Sequence, residues 1–241
     1  KRFISLLCMA LLGVGFYAGI SSTSQDMLST LDSYLDQTQA YDLQIQSTLG
    51  LTKADVTSLE KLSDVASVQG IYAKDELIEP VARTTTRQEN DETAIAKVIG
   101  VPKQLNKITL VKGQLPQKDN EIVVEEAYLK KNKVKIGDSL KMNDPDLTNE
   151  TYQIVGTVKS PLYFSKVHRG TTSLGDGRID YFMYVKPSVF KQDMYSAIAL
   201  TVKGAKQEMT SQTAYLDRIS AAKKEVETIK KAQETQRFET V

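Results

Sequence analysis

The feature that most constrains this chain is a run of eighteen residues without one charged side chain. FISLLCMALLGVGFYAGI at positions 3–20 stands directly behind Lys1 and Arg2, and the next charge is Asp26. A helix rises about 1.5 Å per residue and a bilayer's hydrocarbon core is about 30 Å thick, so roughly 17 to 25 apolar residues span it. The run meets that bound, and Ser21, Ser22 and Thr23 can carry the helix into the interface. The flanking cations place the N-terminus in the cytoplasm and the residues after about 24 outside. A transmembrane helix is therefore expected over 1–24. A cleaved secretory signal shares the basic, apolar and small-residue order, with Gly19 and Ser21 near the would-be scissile bond, and is the competing reading. Cys8 has too few apolar residues ahead of it for a lipoprotein signal and reads as a small hydrophobe. The spacing of Gly15 and Gly19 would let another helix approach closely, but a lone pair of this kind is common in membrane helices.

Beyond the run, Met27, Leu28, Leu31 and Leu35 recur at helical spacing in a polar background, which predicts a helical stalk over 25–40. At 41–46 the sequence YDLQIQ switches to period two, the pattern of a half-buried strand. Thr52 reads as the N-cap of a helix that buries Val56, Leu59 and Leu62, and Val65, Val68 and Ile71 mark a returning strand. Further strands are expected at 77–81, 94–101, 120–124, 140–142, 152–158, 181–185 and 198–202, with a short helix at 125–131 and an exposed polar tip at 83–92. About eight strands with irregularly placed helices predict an α+β extracytoplasmic domain over 41–204, not an alternating parallel sheet. From residue 211, Tyr215, Ile219, Ala222, Val226 and Ile229 follow 4-3-4-3 spacing. The segment 211–241 is thus either an amphipathic helix docked on its own domain or the start of a coiled coil, and Gln233 and Gln236 continue the seam with polar residues. Lys1 at the start and a polar helix without a stop signal at the end read as a fragment.

The residues exclude most chemistry. Lys+Arg 31 against Asp+Glu 30 gives a net charge of +1, and no basic patch is interleaved with aromatics, so nucleic acid is not an expected partner. The single cysteine rules out an internal disulfide and any cysteine-based zinc site. His168, the one histidine, lies among cations and has no second ligand or nucleophile elbow beside it. Ser58 and Lys61 have serine-lysine spacing without the other elements of that chemistry, and Asp144 and Asp146 read as an acidic turn. The glycines at 170, 175 and 177 lack the Gly-Lys-Ser/Thr ending of a phosphate loop. No catalytic, cofactor or metal residues are predicted, and the chain reads as a non-enzyme. The long segment 161–180 is the surface to watch, with Leu162, Tyr163 and Phe164 as a possible contact patch or, equally, as core packing.

In order along the chain, YDLQI, Leu51-Thr52-x-x-Asp55, Leu59-Glu60-Lys61-Leu62, Val65-Ala66-Ser67-Val68, Gly113-x-Leu115-Pro116, Glu121-Ile122-Val123-Val124, Ile136-Gly137-Asp138 and Tyr152-x-Ile154-Val155-Gly156 follow the apolar helix. This ordered set resembles the extracytoplasmic domain of FtsX/MacB-like ABC-transporter permeases, and the helix after residue 211 is similar to the helical insertions of Gram-positive-type members. The resemblance implies a permease with no nucleotide site of its own, partnered by a cytoplasmic ABC ATPase and by a second permease half or a homodimer, and set in membrane lipid. It implies that ATP-driven motion passes up the stalk to move peptide, lipid or lipoprotein, or to activate a wall hydrolase. Leu28, Leu31 and Leu35 are then the expected coupling positions. A signal-anchored extracellular binding module without a transporter is the alternative.

Overall fold

No proline interrupts the first forty residues, so the apolar run and the stalk form one unbroken helix, α1 (Arg2–Gln37). The computed structural model describes residues 2–81, 94–165 and 169–239. The most apolar window of α1 has a mean hydropathy of 2.1 and buries nothing within the chain. The helix ends in a Schellman turn: Ala40 N–H donates to Leu35 O at 2.8 Å and Gln39 N–H to Asp36 O at 3.1 Å. Gln39 takes the left-handed position of that motif, at φ 54°.

The remaining elements are β1 (Leu43–Leu51), α2 (Lys53–Glu60), β2 (Val65–Ile71), β3 (Ala73–Val81), β4 (Ala94–Gly100), β5 (Thr109–Gly113), β6 (Glu121–Val124), α3 (Glu126–Asn132), β7 (Ser139–Met142), β8 (Thr151–Lys159), β9 (Tyr181–Val185), β10 (Tyr195–Val202) and α4 (Thr213–Glu239). The architecture is α+β, as the pattern predicted, with ten strands among the described residues where about eight were expected. The strand with no counterpart among the expected positions is β5, every residue of which is exposed and which therefore shows no burial alternation. The expected tip at 83–92 lies outside the described residues.

Two sheets divide the work. The first has the order β1-β10-β2, both outer strands running antiparallel to β10. The predicted strand-helix-strand unit is therefore split, because a strand more than a hundred residues later enters between its two strands. Helices α2 and α4 cover this sheet, and Leu59, Val68, Ile198, Leu200, Ala222 and Val226 form its core. Thr52 caps α2 as predicted: Asp55 N–H donates to its hydroxyl, and the Asp55 carboxylate accepts the Thr52 N–H at 2.6 Å, a reciprocal capping box. The heptad seam of α4 is spent on this core, with Ala222 and Val226 buried and Tyr215 and Ile219 packed beside them.

The second sheet has the order β5-β8-β6-β9-β4-β3-β7, and β7 pairs back onto β8. Six strands thus close into a small barrel. One edge of β8 is shared: Thr151 and Gln153 pair with β7, and from Gly156 to Lys159 the same edge carries β5. The changeover needs glycine twice, since a Cβ on Gly113, which sits at φ 79°, would run into the Val155 carbonyl and one on Gly156 into the Lys112 carbonyl. Alternate residues point inward, among them Ile122, Val124, Tyr152, Ile154, Tyr181 and Met183. The opposite face carries a second cluster of Ile99, Val123, Val155, Phe182 and Tyr184, covered by Ile108, Leu115 and Tyr163.

Candidate functional site at the stalk base

The end of α1 is the point where the stalk, the three-stranded module and the barrel meet. Helix termini leave carbonyls without intrahelical partners, and here the segment leaving β4 supplies donors for two that follow the helix. Asn106 N–H donates to Gln39 O at 2.9 Å and Lys107 N–H to Thr38 O at 2.7 Å. The Asn106 side chain returns the contact by accepting Tyr41 N–H at 3.1 Å. Asn106 is 2% exposed and sits at φ 57°, a left-handed conformation that asparagine tolerates better than most residues.

Two further ties fix the helix laterally. Asp32 accepts both the backbone N–H and the hydroxyl of Thr210, at 3.1 and 2.6 Å, just ahead of α4. Tyr34 meets Phe164 edge-on, ring centroids 5.7 Å apart. Beyond the turn, Asp42 accepts Val202 N–H at 2.7 Å and the Tyr215 hydroxyl at 2.9 Å, which joins β1, β10 and α4. Burial raises the Asp42 carboxyl above its ordinary value, against the lowering effect of those two donors. Burial, with Asp42 beside it, raises the Tyr215 phenol.

The three predicted coupling residues divide at this junction. Leu28 and Leu31 are 42% and 39% exposed on the free part of the stalk, whereas Leu35 is half-buried against a cavity of about 70 Å³ that Asp42, Ala205 and Tyr215 also line. The predicted contact loop divides as well. Leu162 is half-buried in a cleft, Tyr163 stacks on Phe182 at 4.7 Å, and Phe164 is 58% exposed against Tyr34. Of the three, Phe164 bears on the stalk and Tyr163 belongs to the barrel's outer core. Arg169 anchors the far side of that loop by a buried ion pair to Glu125 at 2.6 Å.

The cleft has a volume of about 330 Å³ and separates the two modules, with Gln69, Gly70 and Tyr195 on one wall and Gly100, Lys103 and Gln104 on the other. Gln69 bridges it. Its side-chain oxygen accepts the N–H groups of Lys103, Gln104 and Leu105 at 3.2, 2.7 and 3.1 Å. Sequence reasoning passed over Gln69, Asn106, Asp32 and Thr210, since a polar residue that satisfies backbone groups leaves no periodic signature. An asparagine between Leu105 and Ile108, two apolar residues outside any strand pattern, was the one available hint.

The groups weighed for chemistry are otherwise engaged. Ser58 donates to the Ala54 carbonyl at 2.9 Å. Asp144 and Asp146 gather with Glu76 around the Lys74 ammonium, 2.7 Å from Asp146, so a lysine supplies the positive charge that a metal would bring. Burial and the neighbouring Asp144 push Glu76 up to about 8, while hydrogen bonds from Glu76 and Lys74 hold Asp144 below its ordinary value despite its own burial. Among the described residues no three His, Cys, Asp or Glu side chains form a metal-binding group. His168 lies outside the described residues.

The family model described as the MacB-like periplasmic core domain matches residues 3–229. No curated protein matches the chain. Among solved structures, the chain is similar to the extracellular domain of the noncanonic ABC-type transporter YknZ from Gram-positive bacteria, at 14% identity over 70% of this chain and 83% of that one, with a TM-score of 0.40. It is similar to the periplasmic region of MacB from Actinobacillus actinomycetemcomitans, at 15% identity over 79% and 84%, TM-score 0.39. A domain of a permease protein from Porphyromonas gingivalis matches at 11% identity over 69% and 65%, TM-score 0.37.

Proposed function

The chain belongs to the MacB-like periplasmic core domain family and is the extracellular part of an FtsX/MacB-like ABC-transporter permease, and from that premise we propose that it works as a mechanical element. The stalk carries the ATP-driven motion of a cytoplasmic ATPase to the outer domain, which uses it to extract or export a peptide, lipid or lipoprotein, or to activate a wall hydrolase. The N-terminus lies in the cytoplasm, and everything after about residue 24 lies outside. The continuity of α1 carries this reading: one helix without a break runs from the apolar segment to a base tied into both modules. Leu28 and Leu31, exposed on the free stalk, are the positions that meet a helix of a second permease half, and Leu35 passes the displacement into the domain.

The test is purification of the full-length protein in mild detergent from its native membrane, followed by identification of co-purifying chains and an ATPase assay. A stoichiometric nucleotide-binding subunit with vanadate-sensitive turnover is the expected result. Release of the domain by signal cleavage, with no ATPase attached, overturns the reading and leaves an extracellular binding module.

A further inference from the structure

The ladder between β3 and β4 runs out where the two modules meet. Ala73 is paired with Ile99, and one step further Tyr72 O still accepts Gly100 N–H at 2.9 Å. Continued in that register, Gly70 would face Pro102, which has no N–H to give. The two chains part there instead. Val101 N–H turns away to Val185 O at 2.7 Å, and the N–H groups of Lys103, Gln104 and Leu105 go to the side chain of Gln69, not to the backbone of β2. The gap between the parted chains is the cleft of about 330 Å³.

Strand β2 therefore has β10 on one side and, among the described residues, no strand on the other. Ile71 O faces the β10 side, where the Ser196 hydroxyl donates to it at 2.8 Å, and Tyr72 O faces the cleft side. Backbone groups alternate in direction along a strand, so Gly70 and Val68, which both line the cleft, turn their N–H and C=O toward it. Unpaired groups on a strand edge are a template for another strand. The opposite wall carries a second unmet group. Asn106 also lines the cleft, is 2% exposed and spends its side-chain oxygen on Tyr41 N–H, while its amide nitrogen finds no acceptor among the described residues. Buried donors are rarely left in that state. The gap is also preformed, since Gln69 spans it and the N–H groups of Asn106 and Lys107 anchor the far wall to the stalk end.

We propose that the cleft binds a short extended peptide as an added strand beside β2, paired with the backbone of Val68 and Gly70 and with one peptide carbonyl accepting from Asn106. A peptide suits the site better than a lipid, because the vacancy is a ladder position and exposed Glu60, Lys103 and Gln104 keep its mouth polar. The site needs no motion of the stalk, so it stands or falls separately from the ATPase partnership.

The full-length protein in mild detergent is offered a pool of acetylated, amidated hexapeptides of mixed sequence, and retained peptides are identified by mass spectrometry, resynthesised and titrated. They are expected to slow amide exchange at Val68 and Gly70, and to lose about tenfold in affinity when N-methylated at alternate residues. Asn106→Asp keeps the oxygen that holds Tyr41 and replaces the unmet donor with an acceptor, which weakens binding by about the same factor. Gln104→Trp fills the mouth from an exposed position, abolishes retention, and carries the test if Asn106→Asp does not fold. Affinity unchanged by N-methylation or by Gln104→Trp overturns the added strand. Retention of no peptide, or slowed exchange at Val68 and Gly70 with lysophosphatidylcholine alone, overturns the peptide as occupant.

Discussion

The barrel and the three-stranded module solve the same problem of burial in opposite ways. The barrel closes on itself, and Ile78, Val98, Ile122, Val124, Leu140, Met142, Tyr152, Ile154 and Met183 are all fully enclosed. The other sheet has only three strands and stays open, so two helices must complete its core, and Leu43, Ile45, Val56, Leu62, Tyr215 and Ile219 remain only partly buried. Closure removes strand edges and fixes register, so the barrel's inner core is complete without the stalk. The smaller module borrows order from the stalk base and from α4.

Ile154→Ala tests the rigid half of this comparison and has the largest expected effect. It opens a cavity in an enclosed core and costs about 3 to 4 kcal/mol, read as a drop in the denaturation midpoint of the whole barrel. Leu59→Ala, in the other core, costs less because the open sheet can settle around the gap; a larger loss at Leu59 reverses the comparison. Gly113→Ala comes next, at about 2 to 3 kcal/mol for a residue forced into a left-handed conformation and against a carbonyl. Amide exchange in β5 accelerates while the inner barrel strands keep their protection. General loss of protection would make β5 part of barrel closure and not an addition to it.

Glu76→Gln sharpens the comparison through pH. The folded-state pKa of Glu76, about 8, lies above the ordinary 4.5, so the unfolded chain releases this proton first and the wild-type protein loses stability as pH rises through that window. The glutamine variant matches the wild type near pH 4, gains on it as pH rises to about 8 and then levels off. A difference that does not vary with pH rejects a folded state that keeps Glu76 protonated above its ordinary range. Val226→Ala follows at about 1.5 kcal/mol for two buried methyl groups, loosening α4 from the smaller module without touching the barrel. Lys130→Ala removes an exposed i,i+4 pair with Glu126 and costs at most about 0.5 kcal/mol, a floor against which the others are judged.

The local signals in the sequence were good guides, and the long-range ones were absent. Thr52 and Asp55 declare a helix start within four residues, and β9 stands out as an unbroken apolar run because its two faces enter two different clusters. The uncharged run with its preceding cations marks α1 by composition alone. The insertion of β10 between β1 and β2 leaves no such trace, since a pairing partner more than a hundred residues away puts no periodic mark on either segment. Leu162, Tyr163 and Phe164 show the limit within a single tripeptide. Their sequence says only that three apolar residues follow a proline, and the structure sends one to the cleft, one to the core and one to the stalk.

The length of α1 also sets a clearance. Its 36 residues extend about 54 Å at 1.5 Å per residue, and a hydrocarbon core of about 30 Å with its outer headgroup layer takes up about 36 Å of that. Of the roughly 18 Å left over, the part from Asp32 onward is already bound to the domain, so about 9 Å, six residues at that rise, is all that separates the domain from the headgroups.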